Sequence, residues 1–281
     1  MKNNRLFLIP LIIMFVVCRS FFPDDELANL FPLTYMGIDY DVEKDEYKLT
    51  TIIETYKDEK KKNLFESTSE DLNDLVRKRK TNNKYYYLGK LKYILINDAL
   101  VEHKLDDLLE FLYTNVEIHG DVLIYNINIK AADAIKAMNE KNDVENWLEK
   151  LQKEIERNYK SGLSSNLYDV YNQKYDKKLI LPIVGFEPGV DQINSLEILN
   201  IVGGYFYEEN VKMTKEDLDF YLLGKKSLKN FSFIYEKKLY GFKVKNTFGI
   251  TLICETNNLD DDVKKYIEEK SKVKITFKGE D

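Results

Sequence analysis

Arginine is scarce in this chain. Of 42 basic residues only five are arginine, at Arg5, Arg19, Arg77, Arg79 and Arg157. The planar guanidinium fork is the group suited to bidentate phosphate or carboxylate clamps, so few such clamps can be built. Basic excess is also missing. The 48 acidic residues outnumber the basic ones and leave a net charge of −6. A nucleic-acid partner is excluded on that ground, because a phosphate-binding surface needs a positive surplus. Two histidines, His103 and His119, and two cysteines, Cys18 and Cys254, leave little material for metal or nucleophile chemistry. The patterns G-x-S-x-G, H-E-x-x-H, C-x-x-C and G-x-G-x-x-G do not occur. Gly224-Lys225-Lys226-Ser227 ends like a phosphate-binding loop, but Asp219 stands where the first glycine is required and Lys226 where Ser or Thr must hold the cation. No enzyme activity and no cofactor is expected. What is there is a chain of 281 residues, 44% apolar and 32% charged. That composition excludes a disordered tail or a multispan membrane protein and is long enough for two cores.

The one long apolar run stands at the start. Lys2 and Arg5 precede an unbroken stretch from Leu6 to Val17, which Cys18 and Arg19 close. A short basic region before an apolar region of this length is the pattern of an export signal. Twelve helical residues would reach only roughly 18 Å, against about 30 Å of hydrocarbon. Two processing readings stay open. A cysteine directly after the apolar region is where bacterial lipoproteins are cleaved and acylated, which makes residues 1–17 the signal peptide and Cys18 the lipid-attachment residue. The residue before it, Val17, is larger than the usual Gly, Ala or Ser. A cut after Ser20, with Cys18 two residues earlier, fits simple secretion. Removing the signal also removes Lys2 and Arg5, so the exported chain is more acidic and needs an anchor or a partner to stay at an anionic membrane. Cys254, in a β-like run, reads as a small buried hydrophobe.

The rest reads as an α+β protein, with two consecutive α+β domains of mixed and antiparallel sheets. Residues 18–185 form the first, 186–195 a linker, 196–255 the second, and 256–281 a tail or the start of a third. Thr34–Ile38 and Lys48–Ile53 are strands joined by the charged segment Asp39–Glu46. Its carboxylates at 39, 41, 43 and 45 do not make a calcium loop, because Lys44 takes the glycine position and Thr50 the final glutamate position. Lys57–Lys62 reads as a loop. Ser67-x-x-Glu70 is a capping box opening a helix with Leu72, Leu75 and Val76 on one face. The basic run Arg77–Lys80 reads as that helix's C-terminus. Tyr85–Asn97 is a strand segment broken at Gly89. Asn97-Asp98 start a helix with Leu105, Leu108, Leu109 and Leu112 at one face, and Val122–Ile129 is the strand after it. That strand–helix–strand order suits a crossover within one sheet. Asp133–Tyr175 is helical, with Asn142 as a cap, Trp147 on the apolar stripe and a short helix from Ser164. Leu179–Val184 is a strand whose Pro182 calls for an edge or a strand end. Leu196–Tyr207 is a strand in which Gly203-Gly204 implies a bulge or a close backbone approach. Thr214-x-x-Asp217 caps a helix, three strands follow (Phe231–Tyr235, Tyr240–Val244 and Ile250–Cys254), and the tail carries an acid-started helix and a strand, Val273–Phe277.

The order of these pieces resembles the C-subunit lipoproteins of bacterial spore germinant receptors, the Ger(x)C family. The stretches that carry the resemblance are Glu26-Leu27 through Gly37-Ile38-Asp39-Tyr40-Asp41, the helix Ser69–Val76, Gly89–Leu100 followed by Leu108–Leu112, Val122–Ile129, Leu179–Pro182 and Gly204–Tyr207. They span roughly residues 15–255. Thr114-Asn115 stands where that family has Arg-Asp or Arg-Asn, and the family's third α+β domain has no full counterpart in this sequence. The resemblance implies a non-enzymatic, lipid-anchored subunit of a nutrient receptor contributing to spore germination. It would lie on the extracytoplasmic face of the spore inner membrane, beside A- and B-type membrane subunits. The alternative is a secreted or anchored extracytoplasmic protein that captures a small ligand, whose sign would be an enclosed apolar pocket with convergent polar groups.

Overall fold

Burial is continuous from Tyr35 to Tyr40 and from Leu49 to Ile53, so the antiparallel pair Tyr35–Asp41 and Glu46–Thr55 is covered on both faces. The computed structural model describes residues 30–55, 61–77, 85–140, 144–159, 163, 165–188, 196–246, 249–254 and 259–279. Among them the strands are β1 (Leu30–Pro32), β2 (Tyr35–Asp41), β3 (Glu46–Thr55), β4 (Lys61–Ser69), β5 (Tyr85–Tyr87), β6 (Tyr93–Asn97), β7 (Leu123–Ile127), β8 (Ile180–Pro188), β9 (Leu196–Phe206), β10 (Val211–Thr214), β11 (Asn230–Tyr235), β12 (Lys238–Lys245), β13 (Ile250–Cys254) and β14 (Ile275–Gly279). The helices are α1 (Leu72–Arg77), α2 (Asp98–Thr114), α3 (Ala131–Glu140), α4 (Val144–Asn158), α5 (Leu167–Tyr175), α6 (Lys215–Gly224) and α7 (Asp261–Ser271). The fold is α+β.

An eight-stranded sheet runs β10-β9-β8-β7-β6-β2-β3-β4. Its middle, β2, β6, β7 and β8, is parallel, and each flank is antiparallel. The expected crossover is present, since β6 and β7 are parallel and joined by α2. One face packs α1, α2 and α5 through Leu75, Leu105, Leu108, Leu112 and Val170. The other packs α3 and α4 through Ile135, Met138, Leu148 and Leu151. That second cluster does not stop at the sheet. It continues through Leu218, Phe220 and Leu222 of α6 into Phe231, Phe233 and Phe242 of a four-stranded sheet, β11-β12-β13-β14.

Several expectations are corrected. The first hairpin loop is shorter than Asp39–Glu46, because β2 continues to Asp41 and β3 begins at Glu46. Asp41 accepts from the amides of Glu43 and Lys44 and closes the turn. Ser67 lies inside β4 and caps nothing. The first turn of α1 is held by Asp71, whose Oδ1 accepts from Asn73 N and Asp74 N. β4 is an edge strand rich in charge, a composition that blunts edge pairing and hides the strand from a hydrophobicity reading. Tyr85–Asn97 is divided between two sheets, since β5 pairs with β1 and β6 with β2. The short helix expected from Ser164 begins instead at Leu167, capped by Asn166, whose side chain accepts from Asp169 N.

The linker reading fails at its start, since Phe186–Pro188 are strand and pair with Leu196–Ile198. β9, assigned in sequence to the second unit, therefore lies in the first sheet. β8 is consequently an interior strand and not an edge. Pro182 is tolerated there because pairing with β7 begins only at Ile183, and the other side is irregular between Ile183 and Val184. The tail is part of the second sheet: β14 runs parallel to β13 from Ile250↔Ile275 to Cys254↔Gly279. The Gly203 reading holds, since a Cβ there would lie 2.2 Å from the Met213 carbonyl oxygen. Cys18, the signal segment, Asn142, Ser164 and most of the Arg77–Lys80 run lie outside the described residues.

Candidate functional site

Two constructions in the structure go beyond simple packing. The first is built on β2. Gly37 and Asp39 are two residues apart and point to the face covered by α3. A Cβ on Gly37 would meet Ala131 Cβ and Ile135 Cδ1 at 2.9 Å each, so the missing side chain sets how close α3 comes. Helix α3 follows Lys130, which has no short polar side chain to cap it. Asp39 does so from 92 residues away: Oδ1 accepts from Ala131 N at 2.6 Å and Oδ2 from Ala132 N at 2.9 Å. Two of the helix's unpaired donors are thereby satisfied at its positive end. Burial pushes the Asp39 carboxyl above its ordinary range, and these two amides oppose that rise. Farther along α3, Lys136 reaches Glu66 at 2.9 Å, and Lys48, the cross-strand partner of Asp39, reaches the same oxygen at 3.0 Å.

The neighbouring turn is held the same way. Asn97 Oδ1 caps α2 by accepting from Leu100 N at 3.0 Å and also accepts from Tyr40 N at 3.1 Å. Its Nδ2 donates back to the Tyr40 carbonyl at 3.3 Å. Asp98 then accepts from the buried Asn126 on β7 at 2.9 Å and from Lys212 of β10 at 3.0 Å. Lys212 also reaches Glu102 at 2.8 Å. These contacts line the carboxyl ends of β2, β6 and β7.

The second construction is an open, mainly polar cleft of about 430 Å³. It lies where α4 ends, α6 begins and the β11–β12 pair passes. Tyr159 and Asp219 are buried in its wall, and the phenol donates to Asp219 Oδ1 at 3.1 Å. Lys215 Nζ meets the other carboxylate oxygen at 2.6 Å. Burial raises both the Tyr159 and the Asp219 pKa, and Lys215 opposes the rise at Asp219. Arg157 and Lys243 complete the basic lining. The last carbonyls of α4 are covered from the second sheet's side of the cleft: Lys229 Nζ donates to Glu156 O, Asn230 Nδ2 to Arg157 O and Lys229 N to Asn158 O. This cleft was not legible in sequence, since its lining comes from residues 157–159, 215–219, 230–232 and 241–243 with no local motif.

The reactive side chains singled out in sequence are not brought together. His103, on α2, lies against the Tyr40 ring, and His119 follows the end of α2. Cys254 is buried at the end of β13. Three of the four carboxylates of the first hairpin have separate uses: Asp39 points to α3, Asp41 closes the turn, and Asp45 binds the Tyr40 hydroxyl and Lys104. Among the described residues no group of three or more His, Cys, Asp or Glu could hold a metal ion. No described helix is long and apolar enough to cross a membrane.

The family model described as the spore germination protein N-terminal domain matches residues 24–186, more than half of the chain. The chain belongs to this family. No curated protein and no solved structure matches it. The matched span covers the β2 construction whole, so the Gly-Ile-Asp segment has a physical account: glycine admits α3 and aspartate caps it. The span ends within β8, whose partner β9 lies beyond it. Only Arg157, Asn158 and Tyr159 of the cleft fall inside the span.

Asp106 of α2, inside the spore germination domain, accepts from Lys174 of α5 at 2.5 Å and from Tyr207, beyond the matched span, at 2.7 Å. Burial raises the Asp106 pKa, but these two partners together outweigh it and hold it below the ordinary value. A depressed carboxylate stabilises the fold above its unfolded pKa and loses that contribution as the pH falls through the folded one. Asp106 is more than half exposed, so water screens the contribution to below about 1 kcal/mol. Asp106→Asn should therefore lower the denaturant midpoint slightly at pH 7 and progressively less as the pH falls below the ordinary carboxylate range; a loss that does not change with pH would remove the electrostatic account.

Proposed function

We propose that this protein is a non-enzymatic, lipid-anchored subunit of a spore germinant receptor. It is held through an acylated Cys18 on the outer face of the spore inner membrane, beside A- and B-type membrane subunits, and contributes to nutrient-triggered germination. The observation that carries this reading is the family match, which begins at residue 24, just after the basic start, apolar run and cysteine. An acyl chain supplies about 0.8 kcal/mol per buried CH₂, and one chain alone holds only reversibly. Stable residence then needs the second chain of a diacylglyceryl group or a protein partner. A role without bond-making chemistry is supported by the use already made of the reactive side chains. Cys254 fills core, and Asp39 and Asn97 cap helices. The cleft is open and mainly polar, so it does not match the enclosed apolar pocket expected of the small-ligand alternative, and binding of a small ion there would be compatible with either reading.

Mass spectrometry of the native N-terminus tests the anchor. A diacylglyceryl Cys18 is expected, and a free terminus at Phe21 would replace the anchored reading by simple secretion. Spores carrying Cys18→Ala, or lacking the gene, should lose response to at least one nutrient while still germinating with a non-nutrient trigger. Unchanged germination in every nutrient tested would overturn the receptor role.

A further inference from the structure

The cleft between α4, α6 and the β11–β12 pair carries a charge opposite to that of the protein. Its lining holds three cations, Arg157, Lys215 and Lys243, against one carboxylate, Asp219. The whole chain has a net charge of −6. A concave site that concentrates one sign raises the local population of the opposite ion. Glu154 lies close enough to Lys215 and Arg157 for both to act on its carboxyl, and even with its charge counted the cleft stays positive.

The wall is fixed and not a chance gathering of surface lysines. Asp219 is 4% exposed and Tyr159 also 4%, and their hydrogen bond sets the position of Lys215, whose ammonium lies 5.6 Å over the Tyr159 ring. Lys215 is the first residue of α6, one turn before Asp219, so the helix itself sets the spacing of the pair. On the opposite side the α4 carbonyls that would repel an anion are already occupied by Lys229 and Asn230. Gly241 of β12 leaves the floor open, since a Cβ there would meet nothing within 4 Å. A volume of about 430 Å³ suits a small molecule and not a folded partner.

We infer that this cleft binds a small oxyanion, a carboxylate or a phosphate, with Arg157 as its principal contact and Lys215 and Lys243 beside it. Arg157 supplies the planar fork that matches either group. The site joins residues inside the spore germination domain to residues beyond it, so an occupant would tie α4 to the second sheet. The inference concerns binding by the isolated protein and stands apart from the receptor role. Loss of the germination phenotype and loss of binding are read in different experiments.

The test is titration calorimetry of the full chain, at fixed ionic strength, with succinate and with inorganic phosphate. Saturable one-to-one binding of at least one of them is expected. Preference for succinate assigns the carboxylate source and preference for phosphate the other. Arg157→Gln, at an exposed position, should weaken that binding about tenfold or more, while Lys245→Gln outside the cleft leaves it unchanged. Far-UV circular dichroism confirms that each variant is folded. Absence of saturable binding with both probes, or binding unaltered by Arg157→Gln, overturns the inference.

Discussion

Phe220→Ala is expected to cost about 3–5 kcal/mol of stability, the range for removing a fully buried aromatic ring. The ring is 2% exposed and meets Phe231 at 5.1 Å, Phe233 at 5.5 Å and Tyr266 at 5.7 Å between centroids. Two of these contacts are edge-on and add to the area term. The variant should melt on the order of 10 °C lower. The informative readout is where the loss is felt. Tyr125 and Ile127 of β7 share one continuous core with Phe220 and Phe231. Hydrogen exchange should therefore accelerate in β6 and β7 as well as in β11–β13. Protection retained in the eight-stranded sheet and lost only in the four-stranded one would show two separately melting units and end the single-core account.

Gly37→Val should be damaging to a smaller extent. Its Cβ would sit 2.9 Å from two side-chain atoms of α3, and overpacking of this kind costs about 1–3 kcal/mol. The β-branched side chain suits a strand, so local propensity favours valine and the loss must come from α3 being pushed away. Asp39→Ala removes the acceptor for two buried amides and costs about 1–3 kcal/mol by a different route. Since both changes act on the first turn of α3, their effects in a double-mutant cycle should fall short of additive. Additive losses measured by urea denaturation would show that helix position and helix capping are independent.

Much of the fold was legible because local signals and tertiary use agree. Leu105, Leu108, Leu109 and Leu112 form a buried stripe on α2 as spaced, and Thr214 caps α6 through Asp217 N. The misreadings come from long-range pairing. β9 looks like the opening of a new unit because Pro188 and the polar residues after it resemble a linker, yet β9 returns along β8. β4 is polar enough to pass for a loop and a capping box, because an edge strand need satisfy only one neighbour. The capping role of Asp39 could not be read, since its partners lie 92 and 93 residues away. The cleft was hidden for the same reason: four separate segments contribute to it, and none carries a motif.

The long reach of Asp39 bears on the order of assembly. A helix whose first amides depend on a carboxylate so far upstream cannot complete its own start by local folding. Closing that span carries a chain-entropy cost that grows only with the logarithm of its length, but it must be met before the contact gives anything back. The first turn of α3 should therefore settle late, after the β2–β3 hairpin has docked. A fragment beginning beyond Asp41 would carry α3 with a frayed beginning, however favourable the helix is by composition.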